Sequence, residues 1–294
     1  MIKPKNAKQD YTYANMPHNR KEVFLDILKL HFADLLRCGF VLLLFALPFC
    51  GTTLYKNILV MNFQSQLMSH AINGEQILYE IKNAIALKNL ITLLEIPLLM
   101  LFAVGLSGIA RVIRQYGWEE NVYFKYDFRL GVKQNIKQML FLAFIIGLVR
   151  LLYICFQNLI ILSLNGMELC LLIVPSVIML VVFAPIIGFI LVCISIYNNT
   201  LSTNVRVGFA LYGGNIFKTL VIFICCASLS SIGLIPNIYC KTIGLVVYIL
   251  LLPIIMLGWW LFTYNLLDIK INSVNHPELI GKGIVFEKNQ DDFK

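Results

Sequence analysis

The chain has 294 residues, of which 59% are hydrophobic and only 14% charged, and its mean hydropathy is +0.78. A soluble domain carries about 25% charged residues, so a soluble globular fold is excluded. The net charge of +8 would raise nucleic acid as a partner of a soluble protein; here the cations flank apolar runs of bilayer-spanning length, which fits a lipid bilayer as the partner and sets nucleic acid aside.

Residues 1–20 are polar and hold Lys3, Lys5, Lys8 and Arg20; such a segment is expected to be disordered or loosely surface-bound. Residues 21–37 have a helical period that puts Phe24, Ile27, Leu28 and Leu35 on one face. An amphipathic helix on the inner leaflet and a plain extension of the first span both fit that pattern. The first apolar run begins near Leu35, too far along for a cleavable signal, and reads as a retained span.

Six spans are predicted, at about 36–54, 89–110, 139–159, 169–197, 216–235 and 243–267. The first is expected to end at Pro48 and the Gly51-Thr52-Thr53 patch. Residues 55–88 then read as an outer helical hairpin split at Asn73-Gly74, either resting on the membrane or presenting a docking surface. The second span carries Glu95 and Pro97, the third carries Arg150, and the fourth holds Pro175, Pro185 and Gly188. Residues 198–215 read as a second inner connection, in which Gly213-Gly214-Asn215 is a turn. Trp259, Trp260 and Tyr264 near the end of the sixth span read as interfacial anchors. The chain thus divides into a polar segment over 1–37, a bundle over 38–268 and a polar tail over 269–294.

The inner connection over 111–138 is the strongest topological signal, because Lys and Arg are retained on the cytoplasmic side of short loops. It holds Arg111, Arg114, Lys125, Arg129, Lys133 and Lys137 against Glu119, Glu120 and Asp127. Across the predicted segments, 19 Lys and Arg fall on the side of the termini and 4 on the other, with Arg150 inside a span. The expected fold is an all-α polytopic transmembrane helical bundle of six spans, multi-pass in a plasma membrane, with both termini cytoplasmic. A weak echo, Arg129-Leu130-Gly131 before span three and Arg206-Val207-Gly208 before span five, is compatible with a duplicated hairpin.

No chemistry-bearing constellation emerges. The eight cysteines include no CxxC and no Cys/His cluster; a pairing such as Cys170 with Cys240 is left open. His18, His31, His70 and His276 are scattered, and HExxH, P-loop and GxSxG patterns are missing. No catalytic, cofactor-binding or metal-ligating residue is expected, and no cofactor. The polar candidates are Glu95 and Arg150, whose predicted depths differ by about 4 Å at 1.5 Å per residue, close enough for two long side chains to meet inside the membrane. Asp127 is expected to cap the helix entering span three by accepting an N–H from the next turn.

The stretch GLSGIARVIRQYGWEE, the aromatic patch VYFKYDF and DFRLGVKQNIKQ together resemble the YesL-like family of bacterial membrane proteins. Arg111, Arg114, Gly117, Glu119, Asp127, Phe128, Gly131 and Asn135 carry the likeness. Residues 55–88 look like an insert relative to that family, and Pro48 and Thr52 are spaced differently from its outer-turn patch. The resemblance implies a compact bundle without named catalytic residues, in a carbohydrate-uptake context. The leading expectation is a non-enzymatic accessory or assembly partner of a solute-uptake system, with membrane permease subunits as partners. The alternative is a transporter with a polar site near Glu95 and Arg150.

Overall fold

A computed structural model describes residues 17–69, 74–163, 168–228 and 238–284. Every regular element among them is helical. Three long helices come first: α1 (Arg20–Ser69), α2 (Gly74–Gly117) and α3 (Phe124–Ser163). The second half holds α4 (Glu168–Ile178), α5 (Ala184–Ile196), α6 (Leu201–Gly213), α7 (Ile216–Ala227), α8 (Ile238–Leu267) and the short α9 (Ser273–Asn275). Five helices are long and apolar enough to cross a membrane; the pair α6 and α7, bent by 100°, brings the number to six if it counts as one.

The span boundaries differ from those expected. Neither Pro48 nor the Gly51-Thr52-Thr53 patch ends α1, which runs on to Ser69. Apolar surroundings leave a helix interrupted by proline no better conformation to adopt, and Thr52 donates its hydroxyl to the Pro48 and Phe49 carbonyls. The two pieces of the expected hairpin over 55–88 are therefore the distal ends of α1 and α2, continuous with their spans. Its turn over 70–73 lies outside the described residues. With 50 and 44 residues, these helices reach about 75 and 66 Å at 1.5 Å per residue, against a hydrocarbon core of about 30 Å. The expected amphipathic segment is set off by a break in helical backbone at His31 (φ −122°, ψ 20°), and its Val23, Ile27 and Leu35 are buried.

Helices α1, α2 and α3 pack antiparallel in sequence order, and α8 lies antiparallel to α1 and touches α2 as well. A Cβ at Gly39 would collide with the Leu250 carbonyl, so α1 and α8 touch backbone to backbone, a small-residue contact that gains dispersion where water offers no driving force. The fourth span is broken by a π-helical turn at Met179–Phe183. Pro185 has no N–H to offer the carbonyl four residues back, and Tyr212 of α6 donates its hydroxyl to that Val181 carbonyl at 3.0 Å.

The expected connection over 198–215 is mostly helix α6, started by Thr200, whose side chain accepts from the Thr203 N–H. Asn204, Gly208, Leu211 and Tyr212 face the bundle while Ser202, Thr203, Arg206 and Phe209 are exposed. The turn at Gly214 and Asn215 is as predicted. Described α7 is only 12 residues long, and residues 229–237 of the expected fifth span lie outside the described ones.

The start of α1 and the end of α8 meet. Arg20 donates to Asp268 at 2.8 Å and to the Lys282 carbonyl, and its guanidinium lies 4.5 Å from the Tyr264 ring centroid. The end of α5 joins them through Tyr197, which donates to the buried Asn272. Since α5 and α8 both finish at this end, the chain between them must return to the other end, and α7 runs that way: Phe223 packs on Trp259 and Cys226 lies near Tyr248.

The aromatic residues of α8 are not anchors at a lipid boundary. Trp259, Trp260 and Tyr264 are buried in the protein. Trp260 stacks on Tyr264 with centroids 4.8 Å apart and donates its indole N–H to the Ser195 hydroxyl at 3.2 Å. A spacing of one and four residues puts two of these rings in one stack, which composition alone does not separate from an aromatic belt.

Candidate functional site

Three helices bring polar residues to one seam. On α1, Phe49, Thr53 and Lys56 are four and three residues apart, so they share a face. On α2, Lys88, Thr92 and Glu95 repeat that spacing, and on α3 Arg150 and Asn158 are two turns apart. Antiparallel packing puts these faces together.

Glu95 is the centre of the seam and is 1% exposed. Lys56 donates to both of its carboxylate oxygens at 2.8 Å. Thr53 donates to Oε1 at 3.1 Å, and an Arg150 guanidinium nitrogen lies 3.0 Å from Oε2. The Arg150 guanidinium also lies 5.1 Å from the Phe49 ring centroid, so this one side chain spans from α3 across α2 to α1. Its side chain is 31% exposed while that of Lys56 is only 8% exposed.

One to two turns along, Lys88 donates to the Asn158 side chain at 3.1 Å, and Asn158 donates to Asn89 at 2.6 Å. Thr92 returns its hydroxyl to the Lys88 carbonyl. Two cations therefore flank one carboxylate, and among the described residues Lys88 meets no acid within ion-pair distance. Glu95 lies 16 residues before Arg111 and Arg150 lies 13 residues after Lys137, rises of about 24 and 20 Å. That is roughly two-thirds of the way across the hydrocarbon from the end where α1 begins.

Of the expected pair, Glu95 and Arg150 are thus brought together; Lys56, Thr53 and the Lys88–Asn158 extension were missed. Lys56 was hidden because the first span was ended at residue 54. The 88, 92, 95 spacing on α2 was readable but was cut by starting the second span at residue 89.

The residues that carry the family likeness gather elsewhere, around the turn from α2 into α3. Arg111 donates to Gln134 at 2.8 Å and lies 3.5 Å from Asp127. Asp127 accepts from the Tyr123 backbone N–H at 2.8 Å. It therefore reaches back over the first turn of α3 in the manner of the rear half of a capping box, rather than capping forward as expected, because the helix already begins at Phe124. Gly131 lets α3 approach Arg111 on α2, where an added Cβ would come within 2.7 Å of the Arg111 Cβ. Phe128 packs on Gly108 and on Phe124, with ring centroids 6.0 Å apart in the aromatic pair. Asn135 donates to the Ser107 carbonyl at 3.4 Å.

Arg114 ties the same turn to α5 by donating to the Ser195 carbonyl at 2.5 Å, with its guanidinium 4.8 Å from the Trp118 ring centroid. Gly117 lies against Trp260. Glu119 has φ +54° and occupies the left-handed position of a Schellman cap: its N–H bonds to the Tyr116 carbonyl, and the next N–H, of Glu120, to the Gln115 carbonyl. Burial, with Asp26 nearby, pushes the Glu119 carboxyl above its ordinary pKa. This cluster holds helices together and lies far along the bundle from Glu95.

A cavity of about 280 Å³ lies between α2, α3, α5, α7 and α8, lined mainly by apolar groups such as Leu106, Met139, Leu191, Phe223 and Trp259. Among the described residues no group of three or more His, Cys, Asp or Glu side chains is placed to hold a metal. The side chain of Cys170, on which the open disulfide pairing falls, lies outside the described ones. Compared with family models, with curated proteins and with solved structures, the chain has no match, so what is established is an all-α helical bundle with helices apolar enough to cross a membrane.

Proposed function

We propose that this chain is a non-enzymatic accessory or assembly protein of a solute-uptake system in the bacterial plasma membrane, with both termini in the cytoplasm. The observation that carries the reading is the closure of Glu95. Both of its oxygens are engaged by Lys56, with Arg150 and Thr53 completing the shell, so this acid acts as a clamp between α1, α2 and α3. A carrier that couples to protons or cations needs an acid that a solute or ion can reach from a polar cavity near the midplane; the cavity described above is apolar. Distal α1 and α2 extend past the length needed to cross, with Tyr55, Ile58, Tyr79 and Leu87 exposed, and offer a surface for a permease subunit to rest on.

The orientation rests on the 19 to 4 division of Lys and Arg and on the meeting of the α1 start with the α8 end. Carbohydrate as the solute rests on the YesL-like resemblance alone. Affinity purification of the full chain from native membranes tests the reading: an uptake permease should copurify. Isolation without a partner, together with solute flux by the purified chain in liposomes, would replace it with a transporter.

A further inference from the structure

The clamp leaves positive charge over. Lys56 and Arg150 share the single carboxylate of Glu95, and Lys88, two turns along the same face of α2, is held among the described residues by the neutral amide of Asn158. Buried or membrane-depth charges are ordinarily matched by a counter-charge, since the low-dielectric surroundings do not screen them. Among the described residues of the seam, cations outnumber acids three to one.

Their placement is also unequal. Lys56 is enclosed and fully used on Glu95, whereas about a third of the Arg150 side chain is open. A guanidinium nitrogen of Arg150 lies 3.0 Å from a Glu95 oxygen, and the guanidinium lies over the Phe49 ring. A guanidinium pre-oriented with free N–H groups is suited to tetrahedral oxyanions, and a lysine a short distance along the seam adds a mobile point charge. Seven residues separate Lys88 from Glu95 on α2, a rise of about 10 Å, so the two accessible cations line the seam from within the hydrocarbon toward its near surface.

We infer that Arg150 and Lys88, backed by the Lys56–Glu95 pair, form a phosphate-binding site along the seam of α1, α2 and α3. The phosphate is either the head group of an anionic lipid in the adjacent leaflet or a free phosphate. The site does not depend on whether the protein assists a permease or carries a solute itself. Glu95 acts in it as a positioning residue, holding the Arg150 guanidinium at the seam.

The test uses the purified full chain in nanodiscs with two probes. One arm measures inorganic phosphate binding in phosphatidylcholine discs; the other measures retention of phosphatidylglycerol by native mass spectrometry. Binding in either arm is expected, and the arm identifies the source. Lys88→Gln and Arg150→Gln should each weaken it by about tenfold, as for loss of one charge-assisted contact. Lys125→Gln, at an exposed position by the opposite end of the bundle, should leave it unchanged. Lys88→Gln disturbs only a contact with Asn158, so it keeps the comparison valid if Arg150→Gln is poorly folded. No binding in either arm, binding indifferent to Lys88→Gln, or equal weakening by Lys125→Gln overturns the site.

Discussion

Replacing Glu95 by Gln removes the charge that holds three helices together without changing the shape of the side chain. Glu95 is 1% exposed, and the Lys56 side chain beside it 8%. Breaking such a pair from one side leaves the other ion buried and unmatched, which costs about 3–5 kcal/mol. Arg150 adds less, because without it Glu95 keeps Lys56 on both oxygens and no buried acid is left unmatched; one charge-assisted hydrogen bond contributes about 1.5–3 kcal/mol. The expected order of destabilisation is therefore Glu95→Gln at about 3–4 kcal/mol, Lys56→Met at about 2 kcal/mol, and Arg150→Gln at about 1.5 kcal/mol. In the double variant Glu95→Gln with Lys56→Met both charges are gone. It should be no worse than Glu95→Gln alone, which gives a coupling of about 2 kcal/mol in the double-mutant cycle. Reversible unfolding in bicelles by steric trapping reads these differences directly. A cost below about 1 kcal/mol for Glu95→Gln, or additive effects in the cycle, would refute the clamp.

Five further outcomes are expected. A cysteine at Lys82 should be labelled by an impermeant reagent from outside intact cells and one at Lys125 should not; the reverse would invert the topology. Asp127→Asn should be mild, since an amide oxygen still accepts from Tyr123, while Asp127→Ala should cost about 1–2 kcal/mol; equal thermal stability of the two would dismiss the back-reaching cap. Glu119→Gly should raise stability by about 1 kcal/mol by relieving the left-handed backbone. Because burial raises the pKa of Glu119 in the folded state, its share of stability is present at low pH and falls as pH rises above about 4.3. Glu119→Gln should flatten that fall, and an unchanged pH profile would count against it. Gly39→Val should separate α1 from α8 and cost about 1–3 kcal/mol, and a variant as stable as the parent would show that the two backbones are not in contact.

The helical class and the apolar runs were legible because a bilayer imposes a length and a composition that few sequences meet by accident. The meeting of Glu95 with Arg150 was legible from depth alone, since adjacent spans joined by a short turn are constrained to run side by side. Helix ends were not. Pro48 reads as a stop in water, yet α1 passes through it, and that error placed Lys56 outside the bundle. The tilt of α6 against α7 was also illegible, because Gly214 and Asn215 announce a turn without its angle. The Schellman cap at Glu119 escaped notice because its left-handed residue is not the usual glycine or asparagine. Trp259 and Trp260 were misjudged since an aromatic pair at a span's end has the same composition whether it faces lipid or protein.

The tie from Arg20 to Asp268 joins residues 248 positions apart, and this sets a timetable for biogenesis. At about 5–20 residues per second, the ribosome needs roughly 12–50 s between making one and the other. For that interval the face of α1 that receives α8, including Gly39, has lipid or the insertion machinery as its only neighbour. The α1–α2–α3 unit is different: once Arg150 has emerged, every member of the Glu95 cluster exists, and the buried carboxylate is already paired. The molecule is therefore born with its early half clamped, waiting for its last helix as a seal. A ribosome stalled before residue 238 would leave a chain whose buried acid is matched but whose first helix has no lid.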